Sequence, residues 1–424
     1  MDIVLPCGMN ESTLTDLAVK LDGPRSFYIR FYMGYHLARS YLKLDSEYIN
    51  QDKNGSMTML KTRKILWLLV VMLTTAALLS ACTGMGSYGG AIAYQCVVDE
   101  SSHIFVMNPE GEVRTRITDG GGWYFMPSWS PNGDILAYYH FNPGTQMTTV
   151  YSVDVTQPEI EQVTLMDRAT FDVEFGPLKW SPDEQSLLYY TVDVLDIADI
   201  YKIDVATGVV ADVFVDSTYY DYVPDWSPDG TQFVFATNRP TADEPLFDLF
   251  LADADGENLV QLTDNDDNGW MDTLPAWSPD GNLIAFVRYN YVGGEEFDGG
   301  PEGLWVINPA TGEETLLYES EVAAEELAPV WSPDGKCLAF LEPVDEEHIL
   351  RVIDVETGEP IAIGPVAGDK RTVSWSPNSR ALIFSNFVDS TATMYILDVK
   401  SGELTEVLES EPGASLGDPH WSSN

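Results

Sequence analysis

An all-β fold of repeated four-stranded sheets is what this chain predicts, and three observations carry the prediction. Trp-Ser-Pro occurs six times and Trp-Ser-Ser once, at Trp129, Trp180, Trp226, Trp277, Trp331, Trp375 and Trp421, spaced 51, 46, 51, 54, 44 and 46 residues apart. Such a period marks a repeat architecture. Around each tryptophan the residues spell the same sequence of short strands and turns. The two ends of the repeat region are incomplete in complementary ways. Together these describe a seven-bladed β-propeller over residues 91–424, with four antiparallel strands per blade.

Each unit begins with a short strand ending in Trp-Ser-Pro. Proline stands two before tryptophan in five copies (Pro127, Pro224, Pro275, Pro329, Pro419). Because proline cannot donate to a ladder, it is expected to bracket this strand. A turn follows: Asn132-Gly133, Asp229-Gly230, Asp280-Gly281 and Asp334-Gly335, with Asp183-Glu184 and Asn378-Ser379 departing from the pattern. Asx-Gly is a strong hairpin signal because both residues tolerate positive φ. The second strand is an apolar run, as in Ile135 to Tyr139, Phe233 to Ala236, Leu283 to Val287, Leu338 to Leu341 and Ala381 to Phe384. Runs this short and apolar suit strands buried on both faces. The third strand ends on Asn108, Asp154, Asp204, Asp253, Asn308, Asp354 or Asp398 before another turn, and a fourth closes the unit, as in Gln261 to Thr263.

The ends decide the number of blades. Ala91 to Tyr94, His103 to Asn108 and Arg114 to Thr118 read as second, third and fourth strands without a first. Pro419 to Ser422 reads as a first strand with nothing after it. The C-terminal strand is therefore expected to pair with the N-terminal blade and close the ring, leaving no free edge there.

Upstream, Lys61, Arg63 and Lys64 precede an apolar run from Ile65 to Leu79 and then Leu79-Ser80-Ala81-Cys82. A basic start, an apolar core and small residues before the cut describe a secretory signal over residues 57–81. The four residues ending on Cys82 resemble the lipobox of bacterial lipoproteins. That resemblance implies cleavage before Cys82 and lipid on its sulfur, with enough acyl chains for stable anchoring. The repeat domain is then extracytoplasmic, in the periplasm or at the cell surface, and held to a membrane. Residues 82–90 read as a flexible tether. Residues 1–56 are an extension of doubtful status, in which Phe27 to Tyr41 suggests at most a short helix.

Charge excludes some partners. From Cys82 onward the chain has 13 Lys+Arg against 60 Asp+Glu, a net of -47 out of -45 for the whole. Such a surface repels nucleic acid and anionic lipid headgroups. It reads first as a solubility device, with attraction of cations or a basic partner as the alternative. Cys96 and Cys337 fall on non-adjacent blades and are expected to be unbridged, since a disulfide needs α-carbons within about 7 Å.

Pro-x-Trp-Ser-Pro-Asp-Gly followed by Ile-Ala-Phe resembles the repeats of TolB-type propellers and is similar to those of prolyl-oligopeptidase-class propellers. The resemblance implies a binding platform in the cell envelope, with no cofactor certain. Three local patterns stand beside it. Gly413-Ala-Ser415-Leu-Gly417 matches a nucleophile elbow, but that motif needs a following helix and partners downstream. It reads as a chance match in an inter-blade loop. Asp264, Asp266, Asn268 and Asp272 resemble a calcium loop, with Pro275 where the bidentate Glu would stand, so calcium is one expectation and an acidic loop the other. Tyr289, Tyr291 and Phe297 lie in the longest insertion and could anchor a partner. The favoured function is binding of an envelope protein or peptide by a monomeric scaffold, without catalysis. The alternatives are a channel enzyme acting on carbohydrate or peptide, and a calcium-stabilised adhesion module.

Overall fold

The computed structural model describes residues 17–21, 27–31, 88–98, 101–157, 161–169, 174–193, 197–215, 219–239, 246–264, 269–290, 302–320, 327–344, 347–364, 369–388, 391–411 and 414–424. It divides into residues 1–81 and 82–424. In the first unit, Leu17–Leu21 pairs antiparallel with Phe27–Phe31. The expected helix over Phe27 to Tyr41 therefore gives way to a strand at its start. Alternating aromatic and β-branched residues in Phe-Tyr-Ile-Arg-Phe fit a period of two better than a helical one.

The second unit is a ring of seven antiparallel sheets, six of them in simple sequential strand order. The inner strands of blades one to six are Trp123–Trp129, Lys179–Trp180 with Glu174–Phe175, Asp221–Trp226, Trp270–Trp277, Val330–Trp331 and Asp369–Trp375. The seventh blade takes its inner strand, Ala414–Trp421, from the C-terminus and Ile92–Val98, Ser101–Met107 and Arg114–Arg116 from the N-terminal side. Ile92 pairs with Trp421 and Val98 with Ala414. This is the predicted closure, and its chemistry repeats that of the other blades. Within blade one, Ser130 Oγ accepts from the Ile135 N–H while the Ser130 N–H donates to Ile135 O. In the seventh, Ser422 exchanges the same two bonds with Ala91, each 2.8 Å long, across 331 residues.

The core lies between blades. One layer joins Tyr139, Val150, Leu165 and Met166 of blade one to Trp180, Leu187, Tyr189 and Ile203 of blade two. Another joins Ile92, Met107 and Trp421 of the closing blade to Ile383, Met394 and Ile396 of blade six. The second strands are the most buried, as their apolar runs predict: Leu136 to Tyr139 and Phe233 to Ala236 are all fully buried.

Two expectations about the inner strand change. Pro127, Pro224, Pro275 and Pro419 lie inside it, not at its border, whereas Pro329 does stand just before Val330–Trp331. The register shifts beside these prolines, between Phe125 and Ser128, Tyr222 and Asp225, Thr273 and Ala276. An inner strand has only one ladder neighbour, so a proline there removes no shared bond and sits in a bulge. The residue before it is left-handed, at Met126 (φ 49°), Val223 (φ 52°), Leu274 (φ 52°) and Asp418 (φ 47°). In the Asx-Gly turns only the second residue has positive φ; Glu184 and Ser379 adopt it where glycine is lacking. The Asx residue contributes its oxygen instead. Ser227 Oγ donates to Asp229 Oδ1 at 2.8 Å, and that oxygen also accepts from the Thr231 N–H. These bonds, from Thr231 first and then Ser227, hold the Asp229 carboxyl below its ordinary pKa.

Candidate binding surface

The strand order sorts the connections onto two faces. One face carries the turns between strands one and two and between strands three and four; we call it the turn face. The other, the loop face, carries the connections between strands two and three and those between blades.

The seven repeat tryptophans are structural ties at the turn end of the inner strands. Five of the indoles reach back to the preceding blade. Trp129 Nε1 donates to His420 O, Trp180 to Ser128 O, Trp226 to Lys179 O, Trp331 to Ala276 O and Trp375 to Val330 O, at 2.9–3.2 Å. The acceptor is always the residue before the preceding tryptophan. Trp421 donates to Gly89 O at 2.9 Å. Trp277 breaks the series, its buried indole N–H having no acceptor among the described residues. Side chains at the acceptor position bridge in the other direction. His420 Nδ1 accepts from the Trp129 N–H, Ser374 Oγ from Trp421 and Asp225 Oδ2 from Trp277. An accepting Nδ1 fixes the neutral His420 tautomer with its proton on Nε2. Burial, then the Lys179 charge, lowers its pKa to about 4.

The loop face carries what the repeat does not dictate. Blades three, four and five each bury an arginine–carboxylate pair there. Arg239 Nη2 donates to Asp221 Oδ2 at 2.7 Å. Arg288 grips Asp272 with two bonds of 2.7 Å and reaches Glu314 at 2.6 Å. Arg351 pairs with Glu342, which also accepts from the Tyr318 hydroxyl. Burial opposes the charge on Arg288, yet Asp272 and Glu314 more than offset it and raise its pKa. Sequence reading missed these pairs. Their one signal is an aspartate five residues before tryptophan in blades three and four, at Asp221 and Asp272.

Beside them runs an aromatic row across blades two to four. Tyr190 meets Tyr222 edge-on with ring centres 6.1 Å apart, and Phe247 packs on Tyr222 at 5.0 Å and on Tyr220 at 6.2 Å. All four side chains are partly buried. Burial, then Tyr289 and Tyr190, raises the Tyr222 pKa. Tyr289, at the loop end of Ile284–Asn290, is partly buried and packs on the core between blades four and five. Tyr291 and Phe297 lie outside the described residues.

The remaining sequence candidates separate. Ser415 of the elbow-like pattern pairs with Val97 inside the closing strand, not in an inter-blade loop. The strand runs on to Trp421, so no turn presents the hydroxyl. Asp264 is exposed, Asp266 and Asn268 lie outside the described residues, and both Asp272 oxygens are held by Arg288. Among the described residues no three His, Cys, Asp or Glu gather as metal ligands. Cys96 and Cys337 lie in different sheets as free thiols. Cys82 and the signal segment 57–81 lie outside the described residues; of residues 82–90, only 88–90 are described.

Comparison with known proteins agrees with this architecture. Residues 248–359 match the family model of the dipeptidyl peptidase IV N-terminal region. A TolB homologue of Chlorobaculum tepidum is 33% identical over 109 residues, 26% of this chain and 21% of that one. Dipeptidyl-peptidase 5 of Porphyromonas gingivalis is 25% identical over 304 residues, 60% of this chain and 42% of that one. The chain therefore spans less than half the length of these two relatives. Among solved structures, an oligogalacturonate lyase from Vibrio parahaemolyticus superposes with a TM-score of 0.57 at 18% identity, covering 74% of this chain and 88% of its own. At that identity the likeness concerns the fold alone. With its closed ring of Pro-x-Trp-Ser-Pro repeats, the chain is a seven-bladed β-propeller, similar over part of its length to TolB proteins.

Proposed function

We propose that this protein is a lipid-anchored, extracytoplasmic propeller that binds an envelope protein or peptide and performs no chemistry itself. The observation that carries the reading is the aromatic row of Tyr190, Tyr220, Tyr222 and Phe247 on the loop face. Partly buried tyrosine and phenylalanine on a rigid scaffold supply contact area at low entropic cost, and such residues dominate binding hot spots. Relatives named as Tol-Pal system proteins support an envelope setting. The anchor on Cys82 follows from the lipobox and remains part of the proposal.

The test is capture of envelope proteins on the mature chain, comparing the native surface with Tyr220→Ala/Phe247→Ala and with the turn-face variant Gln185→Ala. A partner retained by native protein and Gln185→Ala, but lost from the double variant, supports the reading. Equal retention by all three removes it.

An enzymatic second reading rests on the names of the peptidase and lyase relatives. Turnover of oligogalacturonate or an aminoacyl-peptide by the purified chain would favour it over binding. For calcium, the exposed Asp264 is the one described candidate ligand not already paired in the fold. A calcium-dependent rise in melting temperature lost in Asp264→Ala/Asp266→Ala would establish that site.

A further inference from the structure

The three residues before the ring are part of it. Expected to be a loose tether, they instead pack on blade six and the closing strand. The Tyr88 ring meets Trp421 edge-on at 6.0 Å, and its hydroxyl donates to Asp398 Oδ2 at 3.3 Å. The Arg380 guanidinium lies 6.0 Å from the centre of the same ring and 3.6 Å from Asp398. Gly89 supplies the carbonyl for Trp421 Nε1, and a Cβ at Gly90 would meet that indole at 2.9 Å. Arg380 belongs to a turn between strands one and two, and Asp398 ends the third strand just before the turn to the fourth. The chain thus leaves the ring on the turn face, at the seam between blades six and seven.

We infer that the turn face is the membrane-apposed side of this propeller and the loop face, with its aromatic row, the side presented to partners. The inference rests on the proposed lipid at Cys82. Only residues 83–87 separate that cysteine from Tyr88, and six fully extended steps span at most about 20 Å. The closing strand Ala414–Trp421 is eight residues long, so it sets the faces about 25 Å apart. A ring lying loop face down would hold Tyr88 beyond the reach of its own anchor. With the turn face down, or the ring tilted about its seam, the tether reaches.

The experiment places a fluorophore, through an azide-bearing residue, at Lys400 or Gln185 on the turn face or at Thr145 on the loop face, all exposed. Energy transfer to a headgroup dye is read on the lipidated chain in vesicles. Stronger transfer from Lys400 and Gln185 than from Thr145 is expected; equal transfer, or more from Thr145, overturns the inference. Twenty Gly/Ser residues inserted before Tyr88 should make the three values converge. A persisting difference would mean that the tether does not set the orientation. The intact mass of the mature protein checks the lipid separately. If Cys82 carries none, the same transfer measurement on a Cys96→Ser/Cys337→Ser chain coupled through Cys82 to a maleimide lipid still tests the geometry.

Discussion

The two faces of the ring obey different rules. On the turn face, five residues separate Trp129 from Ile135, Trp180 from Ser186, Trp226 from Gln232, Trp331 from Cys337 and Trp375 from Ala381, and six separate Trp277 from Ile284. On the loop face, the connection between strands two and three runs from two residues (Val98 to Ser101) to ten (Thr237 to Asp248) and twelve (Asn290 to Gly303). The turn face is constrained because each Ser-Pro-Asx cassette serves its own hairpin while the adjoining indole ties the neighbouring blade. A change of length there would displace both. The loop face carries no bond repeated from blade to blade; its cross-blade bonds are individual, such as Tyr318 of blade four to Glu342 of blade five, beside pairs within one blade such as Arg288 and Asp272. Variation is tolerated where no repeated tie fixes the length of the connection, and that is where recognition surfaces form.

This contrast can be broken or sharpened in order of expected effect. Removing His420–Asn424 deletes the end of the closing strand, the tie to Trp129 and the exchange with Ala91. Thermal denaturation should show a melting temperature lower by more than about 10 °C, given how steeply midpoints track stability. Melting like the intact molecule would refute closure as the source of stability. On the loop face, Asp272→Ala should cost about 3–5 kcal/mol in denaturant unfolding, because it leaves the Arg288 charge buried with half its partners. A loss below about 1 kcal/mol would show that this pair is dispensable.

Comparing seams gives a finer test. Trp226→Phe removes an indole donor that is bonded to Lys179 O, whereas Trp277→Phe removes one that is not. Trp226→Phe should cost about 1 kcal/mol more, the net value of one hydrogen bond. Equal losses would mean the ties add nothing beyond packing.

His420 supplies the pH dependence of the turn face. Its pKa is about 4 folded, below the ordinary value near 6.5, so the unfolded chain binds the extra proton. The stability it contributes is present above pH 6.5 and is lost as pH falls towards 4. Relative to His420→Asn, native protein should lose on the order of 2 kcal/mol across that window, less than the full shift because the side chain is partly exposed. Parallel stability curves would disprove the assignment.

The smallest effect contrasts two glycines. Gly230 has φ +70° in a hairpin turn, while a Cβ on Gly121 of the loop face would meet nothing within 4 Å. Gly230→Ala should cost about 1 kcal/mol by backbone strain and Gly121→Ala almost nothing. A reversal would mean the faces are not constrained as described.

The sequence by itself determined the repeat, the number of blades and the closure. Each depends on local chemistry that recurs in register: apolar runs with a period suited to buried strands, Ser-Pro-Asx turns, and ends that complete one another. Tryptophan was legible as a repeat marker, but its tie to the preceding blade joins residues about 50 positions apart and shows no pattern along the chain. Only the tertiary structure decided that the inner-strand prolines sit in bulges, since that requires knowing that these strands have one ladder neighbour. It alone brought Tyr190, Tyr222 and Phe247 together from two blades and gave Asp272 to Arg288. It also turned Tyr88 to Gly90 from tether into scaffold, because the residues that hold them, Asp398 and Trp421, arrive from the far end of the chain.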